Sequence, residues 1–153
     1  MSAAARGVRV LAVDAAAGRP LRMAVLRPHE PPERRMYARE DDAATLHVAA
    51  VGDDGSVLAV GSAMSEPHPR QPHEGDWRVR GMATVAELRG QGLGAIVLER
   101  LEREARRRGA RRFWCNARSG ARCFYERAGY GVEGERFEID EIGPHYLMSK
   151  QSR

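Results

Sequence analysis

The run Arg89-Gly90-Gln91-Gly92-Leu93-Gly94-Ala95 constrains this chain more than any other stretch. Glycine recurs at every second position, and an unbroken helical pattern follows from Ile96 to Arg108. This spacing predicts a loop that turns into a helix. Glycines carry no Cβ, so their backbone N–H groups stay uncovered, and the start of a helix adds partial positive charge. Together these make an anion site suited to a phosphate or pyrophosphate. A tight turn with no ligand would need only one glycine. The expected cradle is the backbone of Gln91, Gly92, Leu93, Gly94 and Ala95, with Arg89 at its flank.

Two familiar phosphate loops fit poorly. A Walker loop would continue into Gly-Lys-Ser/Thr, and none follows here. Gly90 to Ala95 does satisfy G-x-G-x-x-A, the dinucleotide fingerprint, but that motif needs a buried strand running straight into its glycines. The preceding strand pattern, Trp77 to Thr84, is separated from Gly90 by the polar stretch Glu87-Leu88-Arg89. Where a ribose-binding acid belongs, about twenty residues on, stands Phe113-Trp114-Cys115-Asn116.

Arg89-x-x-Gly92-x-Gly94 resembles the Q/R-x-x-G-x-G/A signature of the GNAT acyltransferase superfamily. A second segment, Ala121-Arg122-Cys123-Phe124-Tyr125-Glu126-Arg127-Ala128-Gly129-Tyr130, is similar to that superfamily's A-x-x-F-Y-x-x-x-G-F/Y helix. The resemblance spans Val8 to Lys150, and the ending Ile142-Gly143-Pro144-His145 is similar to small ElaA-like bacterial members. It implies an α+β fold, with a mixed central sheet flanked by helices and a splayed strand pair that holds acyl-CoA.

The resemblance also implies chemistry. Acetyl-CoA would be the co-substrate, and the acceptor a primary amine of a small molecule or peptide. Backbone groups of Met82 and Thr84, on the strand before the loop, would pair with the pantetheine arm, and the Met82 N–H would face the thioester oxygen. An ordinary interior strand reads the same way. Tyr125 would be the acid that protonates the leaving thiolate; a packed tyrosine with its hydroxyl on a carbonyl is the plain alternative. Lying one residue from Phe124, it points about 100° away on a helix, so Phe124 and Ala128 are expected inward and Tyr125 toward the cofactor. Asn116 resembles the strand-end asparagine that many members turn toward the cofactor. No general base is assigned: Asp76, Glu138, Asp140, Glu141, His47 and His145 are candidates, and ordered water is the alternative. A non-catalytic acyl-CoA-binding module is the second reading.

At 153 residues and 42% hydrophobic content, the chain has enough material for one domain with its own core. Residues 1–7 are expected to be a loose terminus. No apolar run is long enough to span a bilayer, and Met1 to Val13 has no signal-peptide core, so a cytoplasmic protein without a membrane partner is expected. Cys115 and Cys123 sit in apolar contexts that suggest packing. His68, His73 and Glu74 lack ligand spacing, so no metal is expected and the Ser65–Asp76 stretch reads as a flexible loop.

The net charge of +4 rests almost wholly on arginine, Lys150 being the sole lysine. Glu99/Arg103, Glu102/Arg106 and Glu104/Arg108 are i,i+4 pairs typical of a solvated helix face, and no aromatic-interleaved basic motif points to nucleic acid. A monomer or homodimer is expected. The element order is read as β-α-β-β-β-α-β-α-β-β. Its first helix begins at Pro20, Asp53-Asp54-Gly55 forms a hairpin turn, and Ser119 caps the last helix.

Overall fold

The computed structural model describes residues 7–31 and 37–152. The elements are β1 (Arg9–Ala12), α1 (Ala15–Leu26), β2 (Leu46–Val51), β3 (Val57–Ser65), β4 (Asp76–Thr84), α2 (Leu93–Arg107), β5 (Arg112–Arg118), α3 (Arg122–Arg127), β6 (Gly131–Ile139) and β7 (Gly143–Gln151). Their order matches the expected one. The loose terminus expected over residues 1–7 lies outside the described residues except for Gly7.

The strands form one seven-stranded sheet in the order β1-β2-β3-β4-β5-β7-β6. Every neighbouring pair is antiparallel except β4 with β5, which makes the sheet mixed. Side-chain alternation sends Leu46, Val48, Ala50, Ala59 and Val79 into a core with Val97, Leu98 and Leu101 of α2. On the opposite face Ala49, Val60 and Ala83 pack with Leu21 and Val25 of α1. α1 and α2 therefore cover opposite faces. The β2–β3 turn closes as expected: Gly55 adopts φ +84° and Gly52 N–H donates to Ser56 C=O at 2.9 Å.

Several expectations are corrected. α1 starts at Ala15, five residues before Pro20, because the Asp14 carboxylate caps it by accepting the Ala17 N–H at 2.9 Å. Pro20 is tolerated inside because it and Ala16, whose carbonyl loses its partner, both lie exposed. Ser119 caps nothing: it begins a 3₁₀ turn that runs directly into α3. Cys123 is exposed, not packed, and only Cys115 is buried.

Glu102 is not part of a solvated face. It is 4% exposed and accepts hydrogen bonds from Tyr130 Oη at 2.7 Å and Lys150 Nζ at 2.9 Å, with Arg106 at 3.6 Å. The sole lysine is thus spent on holding α2 to β7.

The Ser65–Asp76 stretch is built around two buried groups instead of running as a free loop. His68 Nδ1 accepts the N–H groups of Arg70 and Gln71, both at 3.1 Å, and its Nε2 lies 2.9 Å from Glu133. The Asp76 carboxylate accepts the N–H groups of His68 at 3.0 Å and His73 at 2.7 Å.

Candidate active site

The parallel β4–β5 pair decides where a site can form. Its ladder covers only Asp76↔Arg112, Trp77↔Phe113 and Arg78↔Trp114. Beyond Arg78 and Trp114 the strands part, while β4 stays paired to β3 and β5 to β7. The result is a V, closed at the start of both strands and open at their ends.

The closed end is tied by charge. Arg112 grips Asp76 through Nε at 2.8 Å and Nη2 at 3.0 Å, a bidentate pair. Burial pushes the Asp76 pKa up, but the Arg112 hydrogen bonds and the N–H groups of His73 and His68 outweigh it and hold the carboxyl at about 2. Asp76 is therefore a strut, ionised and fully occupied, and not a base.

The open end has a structural cause in β4 itself. Val60 pairs with Ala83 but Ser62 pairs with Arg80, so two residues of β4, Gly81 and Met82, oppose Gly61 alone of β3. Gly81, at φ +66°, sits in this bulge, and a bulge bends its strand and adds twist. A side chain there would strike Arg22, whose Nε donates to the Gly81 carbonyl at 3.3 Å. Arg22 is fully buried and held by Glu40 at 2.6 Å and Ser62 Oγ at 3.1 Å. The bulge was missed from the sequence, although a lone glycine inside a strand pattern is its usual signal.

His47 belongs to this buried network. Its Nε2 lies 2.7 Å from the Glu40 carbonyl, which only accepts, so Nε2 carries the proton and Nδ1 faces Ser62 Oγ at 2.7 Å. Burial lowers its pKa, and both ring nitrogens are taken. His145 differs. Its Nδ1 lies 2.7 Å from the Gly143 carbonyl, and its Nε2 has no hydrogen-bond partner among the described residues. Because His145 pairs with Arg118 across β5 and β7, it lies at the open end of the V. Glu138, Asp140 and Glu141 line a shallow depression at the β6–β7 turn just beyond it.

The glycine loop lies past the tip of β4, on the α2 face. A 3₁₀ turn, Ala86–Leu88, leads from β4 into it. Gly90 and Gly92 adopt φ +80° and +86°, and a Cβ at either would meet open space. The first backbone bond of α2 is Ile96 N–H to Gly92 C=O at 3.2 Å, which leaves the N–H groups of Gly92, Leu93, Gly94 and Ala95 without carbonyl partners among the described residues. Gly94 differs from the other two. Its conformation is helical, and a Cβ there would lie 3.1 Å from Phe124 Cε1 and 3.6 Å from Thr84 Oγ1, so it is small for packing.

Tyr125, not Phe124, is the more deeply buried ring of α3. It is 5% exposed, whereas Phe124 is half-buried against Gly94. α3 is only one and a half turns long and its tyrosine wedges between neighbouring rings, 5.0 Å from Phe124 and 5.4 Å from Tyr130, over Cys115 of β5. Unlike Tyr130, whose hydroxyl is spent on Glu102, Tyr125 has no hydrogen-bond partner among the described residues. Burial first, and then Cys115, holds its pKa well above the ordinary value of 10.0.

Met82 and Thr84 lie on the open arm of β4, and Asn116 on the open arm of β5 with its side chain on the α1 face. Arg89 is exposed at the start of the glycine loop. Of the residues singled out from the sequence, the loop residues thus lie at the α2 N-terminus, Met82, Thr84 and Asn116 on the open arms of the V, and Tyr125 on α3 over Cys115. No group of three or more His, Cys, Asp or Glu suited to a metal occurs among the described residues.

A sheet opened between its fourth and fifth strands, with free N–H groups at the following helix, defines a class. The chain belongs to the acetyltransferase (GNAT) family, whose model matches residues 15–130. It is 31% identical over 133 residues to the uncharacterized N-acetyltransferase YitI of Bacillus subtilis, covering 87% of this chain and 89% of YitI. Escherichia coli ElaA shares the fold at TM-score 0.75 and 15% identity, over 94% of this chain and 99% of ElaA. So does an aminoglycoside 6'-N-acetyltransferase solved with coenzyme A, at TM-score 0.68 and 17% identity, over 94% and 96% of the two chains.

Proposed function

We propose that this protein is an acetyl-CoA-dependent N-acetyltransferase that moves the acetyl group to a primary amine by direct attack on the thioester. The observation that carries the reading is the V between β4 and β5, with four N–H groups of the α2 N-terminus, unpaired among the described residues, beyond its open end. The coenzyme A in the structurally similar aminoglycoside enzyme supports the same ligand here.

The pyrophosphate fits the N–H groups of Gly92, Leu93, Gly94 and Ala95, with the Gln91 backbone beside them and Arg89 adding charge. The pantetheine arm takes the strand bonds that β4 lacks past Arg78, from Met82 and Thr84, with Asn116 across from them. In this reading the Met82 N–H stabilises the oxyanion. Arg22 holds the carbonyl of that same peptide unit, Gly81 C=O, and so orients the donor. Tyr125, buried and protonated, gives its proton to the departing thiolate. The open Nε2 of His145 is the group best placed to take a proton from the amine, directly or through water. The remaining candidates are paired or lie on the exposed turn.

The soluble setting we propose is the cytoplasm, where acetyl-CoA is made; no described helix is long and apolar enough to cross a membrane. The acting species in this proposal is one chain or a homodimer, with no nucleic-acid partner. A melting experiment tests the cofactor. Acetyl-CoA at a hundredfold excess over its dissociation constant should stabilise by about 2.7 kcal/mol, a rise of roughly 5–10 °C for a domain of this size, and NAD should not. An unchanged melting temperature would refute the assignment. Single-turnover acetyl transfer to an amine panel then separates an enzyme from a binding module.

A further inference from the structure

The α1 face of the V is lined by arginines that the acetyl-transfer chemistry does not use. Arg78 and Arg80 alternate on β4 ahead of the bulge, so both side chains leave the sheet on the face opposite α2. Arg118 ends the opposing arm, and its Nη2 donates to the Leu26 carbonyl at 2.6 Å, next to Arg27. Four guanidinium groups thus bracket the mouth where an acceptor must enter.

Their pairing is incomplete. Arg78 meets Glu66 at 3.0 Å and stacks on Trp114 at 4.9 Å, and Arg27 lies 3.7 Å from Glu30. Arg80 and Arg118 form no ion pair with a described carboxylate. Arg80 instead lies over the Tyr37 ring, 4.1 Å from its centroid. The Nε atoms of Arg27, Arg78 and Arg80 are buried without hydrogen-bond partners among the described residues. Buried donors left open on one face are costly, and a ligand that accepts from them relieves that cost. Burial first, and then the charges of Arg78 and Arg27, lower the Arg80 pKa to about 10, and Glu66, already paired with Arg78, offsets them only in part.

No described carboxylate pairs with Arg80 or Arg118: Glu66 is taken by Arg78, and Glu30 lies by Arg27. The pyrophosphate site is at the α2 N-terminus, on the other face of the sheet. The Glu40 carboxylate already holds Arg22 and Arg19. We propose that the acceptor carries its own carboxylate, bound between Arg80 and Arg118, so that the substrates are amino acids or amines built like them. A planar guanidinium matches a carboxylate in a two-point contact, and the Tyr37 and Trp114 rings hold the Arg80 and Arg78 planes in place by stacking. The proposal rests on the acetyltransferase reading, since it concerns the same cleft.

The test compares amines that differ only in the carboxylate, such as ornithine with putrescine and phenylalanine with phenethylamine, and adds aminoethylphosphonate as the alternative anion. Acetyl transfer is read as kcat/KM, and binding to the coenzyme A complex by calorimetry. Wild-type protein should prefer the best carboxylate-bearing acceptor over its decarboxylated partner by at least about tenfold, since a site with open donors rejects ligands lacking the acceptor group. Arg80→Gln should erase that preference chiefly through KM, with coenzyme A affinity unchanged; Arg80→Lys should keep part of it. Arg118→Gln, remote from the bulge, provides an independent second variant.

Equal or better use of the decarboxylated amines would overturn the proposal, as would preference for the phosphonate or an undiminished preference in both Gln variants. Binding of coenzyme A with no carboxylate-bearing amine either bound or acetylated would also overturn it. Failure of coenzyme A to bind at all would instead remove the acetyltransferase reading. Calorimetry of the amino acids on the protein alone would then decide the anion site separately.

Discussion

At the scale of single residues, Tyr125 bears the most specific role in the proposed chemistry. Its ring is packed and its hydroxyl has no partner among the described residues to lose, so Tyr125→Phe should leave the melting temperature and coenzyme A affinity close to wild type. Acid catalysis contributes roughly 10²–10⁴-fold, and a thiolate leaves tolerably without full protonation, so we expect kcat to fall about 10²-fold. The pH dependence follows from its raised pKa. Burial and Cys115 keep the phenol protonated past its ordinary value of 10.0, so the pH–rate profile should show no falling limb from Tyr125 below that pH. Stopped-flow transfer rates measured from pH 6 to 10 check both points, and wild-type kcat in the Phe variant would remove Tyr125 from the mechanism.

At the scale of elements, the start of α2 joins two demands that the glycine spacing does not separate. Gly92 and Gly90 need positive φ and face open space, whereas Gly94 is helical and pressed against Phe124. Gly92→Ala should therefore cost about 1–2 kcal/mol in backbone strain alone, and weaken acetyl-CoA binding because the N–H groups it aims would turn. Gly94→Ala should disturb α2–α3 packing, with its first effect on stability, not on affinity. Urea titrations beside binding isotherms on both variants separate the two. An affinity loss confined to Gly94 would reverse this assignment.

At the scale of the whole molecule, the V works only if one end of the β4–β5 pair stays shut while the other stands open. The Asp76–Arg112 pair is that closure. Its carboxyl pKa is depressed from 3.8 to about 2, so its stabilisation is complete above about pH 4 and is lost as the pH falls through about 2. The shift corresponds to roughly 2 kcal/mol. Asp76→Asn should lose about that much at pH 7 and show a shallower decline in stability between pH 4 and 2 than the wild type. Denaturant melts at pH 7, 4 and 2.5 measure it. A variant as stable as wild type at pH 7 would show that the closed end is held by the ladder alone.

What could be read from the amino-acid sequence was local. The element order, the Asp-Gly turn, the apolar stripe of α2 and the exposed backbone of the glycine loop all follow from periodicity and from φ angles, which neighbouring residues set among themselves. Pro20 and Ser119 misled because their effect depends on exposure and on the turn that follows. Tyr125, not Phe124, is the deeper ring because a helix of six residues has too few turns for periodicity to settle its inward face. Tertiary structure alone decided the remainder. The Gly81 bulge is defined by register against β3, the V by where β4 and β5 stop pairing, and the Glu102–Lys150 and Arg22–Glu40 pairs by contacts 48 and 18 residues apart in the chain. Arg78, Arg80 and Arg118 read in sequence as three more charges in a basic chain. The sheet turns them to one face, and burial removes the water that would otherwise satisfy the Nε atoms of Arg78 and Arg80, which is what makes them the proposed anion site.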